Sequence, residues 1–340
     1  MTESPLLLAL IFLACAAVIV IAGVRLATYG DAIAVRTGLG GLWIGSILLA
    51  GATSLPELAT DIAAVRIGAP DLAAGDLFGS SMSNMLILAL IDLSYPRAHV
   101  LRAASLDHVI SAMLAILLTA IAALFLLIRT SANLFGIGPG SAILVAVYLA
   151  GTRVMYLNNV AARTAPADAI GPEEEALSTS LTLRQAVVRF AIAAAVILAV
   201  APLFARSAEG IAEVSGLGTT VVGTWLVGFS TSLPELVASL AAVRLRAYDM
   251  AVGNLFGSNA MNMIMFAALD AVSPSGPILA TVSPVHGMSA LVAIMLMSVG
   301  MAAIAYRTHG RLRMLEPSSS VMLLLYVLGI GLLIARGTGA

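Results

Sequence analysis

The sequence has no lysine, so apart from four histidines its 17 basic side chains are all arginine. Charged residues make up only 10% of the 340 and aromatics 5%, against 60% hydrophobic. That balance excludes an ordinary soluble domain, in which about a quarter of residues are charged. The formal net charge is −1 and no basic cluster occurs, so there is no electrostatic footprint for nucleic acid. A single cysteine, Cys15, excludes an intrachain disulfide. No glycine-rich phosphate loop is present to support chemistry driven by ATP. The short alternating strands of a transmembrane barrel are also missing.

What fills the chain is apolar runs long enough to cross a bilayer. Ten spans are expected, at about 5–27, 38–66, 71–93, 107–129, 134–156, 183–207, 217–245, 249–272, 281–305 and 320–337. With no water to satisfy backbone groups in the hydrocarbon region, each span should be a helix. The first lacks a basic leader and a cleavage site, and reads as a retained helix rather than a signal peptide. Residues 161–182 form the one long polar stretch, with Pro166, Pro172 and the run Glu173-Glu174-Glu175. They read as a solvated linker between a first five-helix half, 1–160, and a second, 183–340. With the N-terminus outside, the inner side holds thirteen arginines and the outer side keeps Arg66, Arg129, Arg206 and Arg336. The positive-inside rule then puts both termini outside and the linker in the cytoplasm.

The apolar background is broken twice in the same way. Thr53–Asn84 reads TSLPELATDIAAVRIGAPDLAAGDLFGSSMSN, and Thr231–Asn262 repeats it 178 residues later without a gap. Extended to Asp92 and Asp270, 22 of 40 paired positions are identical, too many for chance packing motifs. The copies fall in the second and seventh spans, five apart, so the halves should be inverted. The expected fold is an all-α polytopic membrane protein of ten transmembrane helices in two inverted five-helix repeats.

Pro56 and Pro234 remove a backbone hydrogen bond and obstruct the carbonyls of Ala52 and Ser230, with Gly51 and Gly228 loosening the backbone nearby. A simple kink would account for one copy; two copies, each followed at once by glutamate, point to a site. Freed carbonyls and the hydroxyls of Thr53, Ser54, Thr231 and Ser232 are hard oxygen ligands, suited to Na⁺, Ca²⁺ or Mg²⁺ rather than zinc or copper. Glu57 and Glu235 are the centre of the pattern. A carboxylate at membrane depth costs at least ~3 kcal/mol and marks a pathway or a pairing. With no lysine in the chain and no arginine in the motif core, a bound cation is the most economical counter-charge. Asp76, Ser80 and Asn84 share a helix face, as do Asn254, Ser258 and Asn262. Gly75, Gly79, Gly253 and Gly257 allow close helix approach, which is also what small residues do as plain packing.

TSLPE followed by GxLFGSxxxN, twice, resembles the cation/Ca²⁺ exchanger superfamily, in particular its Na⁺/Ca²⁺ exchanger membrane domains. The resemblance implies that Glu57 and Glu235 are the central Ca²⁺ ligands, shared with Na⁺, and that carbonyls of Thr53 and Thr231 complete that site. It implies flanking Na⁺ sites from Ser54, Ser232, Ser80 and Ser258, with carbonyls of Ala50 and Gly228, and makes Asn84 and Asn262 the central polar pair. Two acids depart from the repeat: Asp61 stands opposite Ser239 and Asp76 opposite Asn254. They either face the site, adding a proton or a further cation, or lie near helix ends in polar surroundings. The expected function is a prokaryotic inner-membrane antiporter exchanging Na⁺ for Ca²⁺, exporting Ca²⁺ by alternating access, with no cofactor. The alternatives are H⁺/Ca²⁺ exchange, K⁺-dependent exchange or Mg²⁺ transport on the same fold, a channel, and, prompted by Gly75-Asp76 and Asp61, an intramembrane aspartyl protease.

Overall fold

The computed structural model describes residues 5–96, 99–162, 181–214, 231–306 and 317–337. Its regular elements are helices, as a chain this apolar requires. The longer ones are α1 Pro5–Thr37, α2 Gly40–Arg66, α3 Pro70–Ser94, α4 His108–Ile128 and α5 Pro139–Ala162 in the first half. The second half has α6 Leu183–Val214, α7 Leu233–Arg244, α8 Tyr248–Val272, α9 His286–Ala305 and α10 Pro317–Gly337. Helix starts recur at the displacement of the motif: Pro5 and Leu183, Pro70 and Tyr248, His108 and His286, Pro139 and Pro317 are each 178 apart. The duplication therefore extends beyond the motif, to helices on either side of it. Among the described residues eight helices are long and apolar enough to cross a membrane. A ninth, Ser318–Leu333, is apolar but shorter. The seventh expected span is described only from Thr231, and Gly228 and most of the linker lie outside the described residues.

Local chemistry sets several boundaries. Pro70, Pro139 and Pro317 open helices, where the missing N–H costs nothing. The α2–α3 turn needs a left-handed residue, met by Gly68 at φ 85°. At the equivalent place in the second half Arg246 adopts φ 58°. The first span is longer than expected, because nothing in it breaks a helix before Gly38 and Gly40, both at positive φ. Arg25 consequently sits inside α1 rather than in an inner loop. The fifth span starts later than expected: Leu134–Ile137 forms a small bridged turn ahead of Pro139.

Helices α3 and α8 are the most enclosed, packed against α2, α7 and each other, while α1 packs on α6 and α7. Glycine sets the closest contact. A Cβ on Gly257 would meet the Ser46 backbone, and one on Gly253 would lie 3.0 Å from the Leu42 carbonyl, so α2 and α8 touch backbone to backbone. One correction follows. The helix runs through Pro56 without a break, and the departure from α geometry is a π turn at Ile44–Leu49, where α2 meets α8. In the second copy the chain does turn, at Ser232, so Pro234 falls in the first turn of α7.

Candidate ion-binding site

Two helix pairs, α2 with α3 and α7 with α8, bring the duplicated residues together. Thr53, Ser54, Glu57, Ser80, Asn84, Thr231, Ser232, Glu235, Ser258 and Asn262 are all buried, with Glu57 and Glu235 at zero exposure. The site crosses between the halves. Ser54 Oγ donates to Glu235 Oε1 at 3.3 Å, and Thr53 lies against the same carboxylate. Asn262, its amide oriented with nitrogen toward the acid, donates to Glu57 Oε2 at 3.2 Å and to the Ser258 carbonyl at 3.1 Å. Ser80 stands beside Glu57 without a well-aligned hydrogen bond. The Thr53 hydroxyl reaches back to the Leu49 carbonyl at 3.1 Å and the Ala50 carbonyl at 3.3 Å, which places Ala50 at the edge of the cluster.

The oxygens left over are informative, because a buried polar atom without a partner is costly. Glu57 Oε1, Glu235 Oε2, Ser80 Oγ, Ser258 Oγ, Ser232 Oγ and Asn84 Oδ1 have no hydrogen-bond partner among the described residues. Both members of the Glu57/Glu235 and Ser80/Ser258 repeat pairs are among them. Neither glutamate has an ion-pair partner among the described residues. No group of three or more His, Cys, Asp and Glu has metal-holding geometry among them either. The cluster offers mixed carboxylate, hydroxyl and amide oxygens, the donor set of a hard cation.

Three arrangements go beyond what the motifs spell out. Asn84 does not pair with Asn262; its Nδ2 donates to Asn259 Oδ1 at 2.9 Å, and Asn259 Nδ2 donates to the Ser81 carbonyl at 3.3 Å. Sequence reasoning missed Asn259, although it follows Ser258 in the same motif where Ser81 follows Ser80. The two extra acids meet each other. Asp61 is 1% exposed, its carboxyl touches that of Asp76, and Thr231 Oγ1 donates to Asp76 Oδ1 at 3.4 Å. Apart from that mutual contact, Asp61 Oδ2 and Asp76 Oδ2 have no partner among the described residues. Finally, the second half fills the same place with a neutral pair: Asn254 Nδ2 donates to Ser239 Oγ at 2.9 Å. Where the second half has a satisfied donor and acceptor, the first has two acceptors facing each other.

Fold and site together define a polytopic helical membrane protein whose two repeats share a buried, oxygen-lined cluster. The chain belongs to the sodium/calcium exchanger family: the pattern of the "Sodium/calcium exchanger protein" family matches it twice, at residues 7–157 and 185–335. The two matches are themselves displaced by 178 residues, 185 less 7 and 335 less 157. CaxA of Alkalimonas amylolytica is 28% identical over 332 residues, covering 95% of this chain and 98% of that protein. The sodium/calcium exchanger MaX1 of Methanosarcina acetivorans is 38% identical over 78 residues, 23% of this chain and 22% of MaX1. Among solved structures, the sodium-calcium exchanger NCX_Mj superimposes with a TM-score of 0.71 at 22% identity, over 96% of this chain and 99% of that one. At that identity the likeness shows the fold alone.

Proposed function

We propose that the protein is a secondary active antiporter that exchanges Na⁺ for Ca²⁺ by alternating access, in the direction of Ca²⁺ export. The observation that carries this reading is the set of unpartnered oxygens centred on Glu57 and Glu235, buried without a cationic side chain. Two glutamates balance one Ca²⁺ or two Na⁺, so both ions compete for one pocket. A third Na⁺ makes the cycle respond to membrane potential. Thr53, Ser54, Ser80, Asn84, Ala50 and their repeats Thr231, Ser232, Ser258, Asn262 and Gly228 supply the remaining ligands. Family membership and the names of MaX1 and NCX_Mj support these ions.

The inverted, ten-span arrangement is part of the proposal. Four membrane-length helices, α3 to α6, separate α2 from α7, and alternating crossings then run α2 and α7 in opposite directions. Both termini face outward and the linker at 161–182 is cytoplasmic, in the inner membrane of a prokaryote.

Contact between Asp61 and Asp76 favours a second reading, in which a proton or an additional cation bridges the two acids and takes part in coupling. A facing aspartate pair is also what an aspartyl protease needs. That alternative leaves the duplicated glutamates without a role and lies outside an exchanger family. The test uses vesicles loaded with Na⁺ and diluted into K⁺, choline or Na⁺ medium, with radiolabelled Ca²⁺ uptake followed with and without a protonophore. Uptake into K⁺ and choline alike, resistant to the protonophore, is the expected result. Collapse with the protonophore transfers the coupling to H⁺, and uptake indifferent to the Na⁺ gradient removes Na⁺ from the cycle.

A further inference from the structure

Outside the ion site, the two helices that carry half of its ligands are held at their ends by carboxylates bonded to the opposite half. At the first turn of α8, Asp249 Oδ1 accepts from the Ser105 N–H at 2.6 Å and lies 3.1 Å from His108 Nε2. At the first turn of α3, Asp71 Oδ1 accepts from the Ser283 N–H at 2.7 Å and lies 3.0 Å from His286 Nε2. Ser105 and Ser283, His108 and His286, Asp71 and Asp249 are each one repeat apart, so each half clamps the other's helix with the same three groups. The far ends are crossed in the same sense. Asp92 in the last turn of α3 accepts from Ser319 Oγ at 2.6 Å, and Asp270 near the end of α8 accepts from the Gly138 N–H at 2.9 Å. The ion site accounts for none of these ten groups.

We propose that His108 and His286 are positioning residues for ion exchange, acting through Asp249 and Asp71 to fix the axial register of α8 and α3. The inference rests on the exchanger reading. Ser258 and Ser80 each lie nine residues beyond the clamped aspartate, roughly 13 Å at helical rise. A helix held at both ends carries its ligand oxygens as a rigid rod. Oxygen–Ca²⁺ distances fall within about 2.3–2.6 Å, so axial slip near 1 Å breaks coordination without unfolding anything. The two clamps differ in exposure: His108 is fully buried against a 41% exposed Asp249, whereas His286 is 17% and Asp71 58% exposed. The His108 clamp therefore carries the larger effect, because water competes less for it.

The test compares His108→Ala and His108→Gln, with the same pair at His286, in the full-length protein. Glutamine keeps an N–H donor within reach of the aspartate. In sealed vesicles His108→Ala should raise the apparent KM for radiolabelled Ca²⁺ about fivefold, the factor for one hydrogen bond of ordinary net strength, with maximal rate changed less. His108→Gln should restore most of it, and the His286 pair should show the same pattern at smaller size. Deuterium exchange of the detergent-solubilised protein gives a readout independent of transport. His108→Ala should expose the first turn of α8 and leave that of α3 protected, and His286→Ala the reverse. If alanine at 108 prevents folding, Asp249→Asn replaces it, since the amide oxygen still accepts the Ser105 N–H. Glutamine behaving like alanine, or exchange that rises equally in both helices or in neither, overturns the proposal. Wild-type vesicles without Na⁺/Ca²⁺ exchange would refute the exchanger reading, while the deuterium pattern would still decide the clamps.

Discussion

Replacing Asp61 by Ser and Asp76 by Asn gives the first half the side chains that the second half has at the same places, Ser239 and Asn254. The backbone there already accommodates that pair, so the double variant should fold. The change is one of charge. Two carboxylates about 4 Å apart repel by ~4 kcal/mol at an effective dielectric constant near 20. A monovalent cation between them relieves that repulsion, which favours its binding over a neutral pair by roughly three powers of ten at 1.4 kcal/mol per tenfold. On the reading in which a proton or a cation bridges the two acids, the wild-type site holds one more positive charge per cycle than Asp61→Ser/Asp76→Asn. Ca²⁺ exchange should survive in the variant, since Glu57 and Glu235 are untouched. Its coupling should change: either the Hill slope for Na⁺ falls by about one or the dependence on pH flattens, and the charge moved per Ca²⁺ shifts accordingly. The assay is Na⁺-dependent Ca²⁺ flux in vesicles under a clamped K⁺ potential, at several pH values. A variant indistinguishable from wild type in Na⁺, pH and voltage dependence would refute the reasoning, and the two-glutamate core would stand.

Glu57→Gln or Glu235→Gln should nearly abolish Ca²⁺ transport, because an unmatched buried charge costs about 3–5 kcal/mol. Affinity would fall at least a hundredfold while a thermal melt in detergent changes little; near-normal flux in either variant removes that residue from the site. Gly257→Ala puts a methyl group against the Ser46 backbone and should destabilise by about 1–3 kcal/mol, seen as a lower melting midpoint; an unchanged melt would mean that α2 and α8 separate freely. Cysteines in the 161–182 linker should be labelled only from the cytoplasm and those at the C-terminus only from outside, and finding both on one side would refute the inverted ten-span proposal.

The candidate site residues could be picked out because an internal repeat acts as its own comparison. Glu57 and Glu235 stand out as paired acids in a chain without lysine, and spacing alone puts Ser80 with Asn84 and Ser258 with Asn262 on common faces. Backbone behaviour at the prolines was not readable. Pro56 and Pro234 have identical neighbours in TSLPEL, yet one lies within a continuous helix and the other in a first turn. In the first copy the distortion sits upstream of the proline, as a π turn where Gly45 and Ser46 of α2 press against α8. The Asn84–Asn259 bond escaped for a similar reason. Equal motifs suggest equal partners, whereas a cross-half contact is set by how two helices rotate against each other.

Symmetry and its breaking fall on different parts of this molecule. The clamps at Asp71 and Asp249, and the anchors at Asp92 and Asp270, are kept in both halves, as are the glutamates and the serines beside them. Beside the kept ligands, about one helical turn away, charge is not kept: Asp61 stands opposite Ser239 and Asp76 opposite Asn254. A duplicated frame makes the two ends of the site alike in geometry, which brings an inward-facing and an outward-facing arrangement close in energy when the halves are inverted. An unequal charge then sits on a balanced frame, where a single bound cation can bias the outcome. Had the acids been lost from the frame instead, the ends would differ in geometry and the balance would fail before any ion arrived. The pattern of retained and divergent residues therefore suits the proposed antiport, with alternating access and asymmetric coupling.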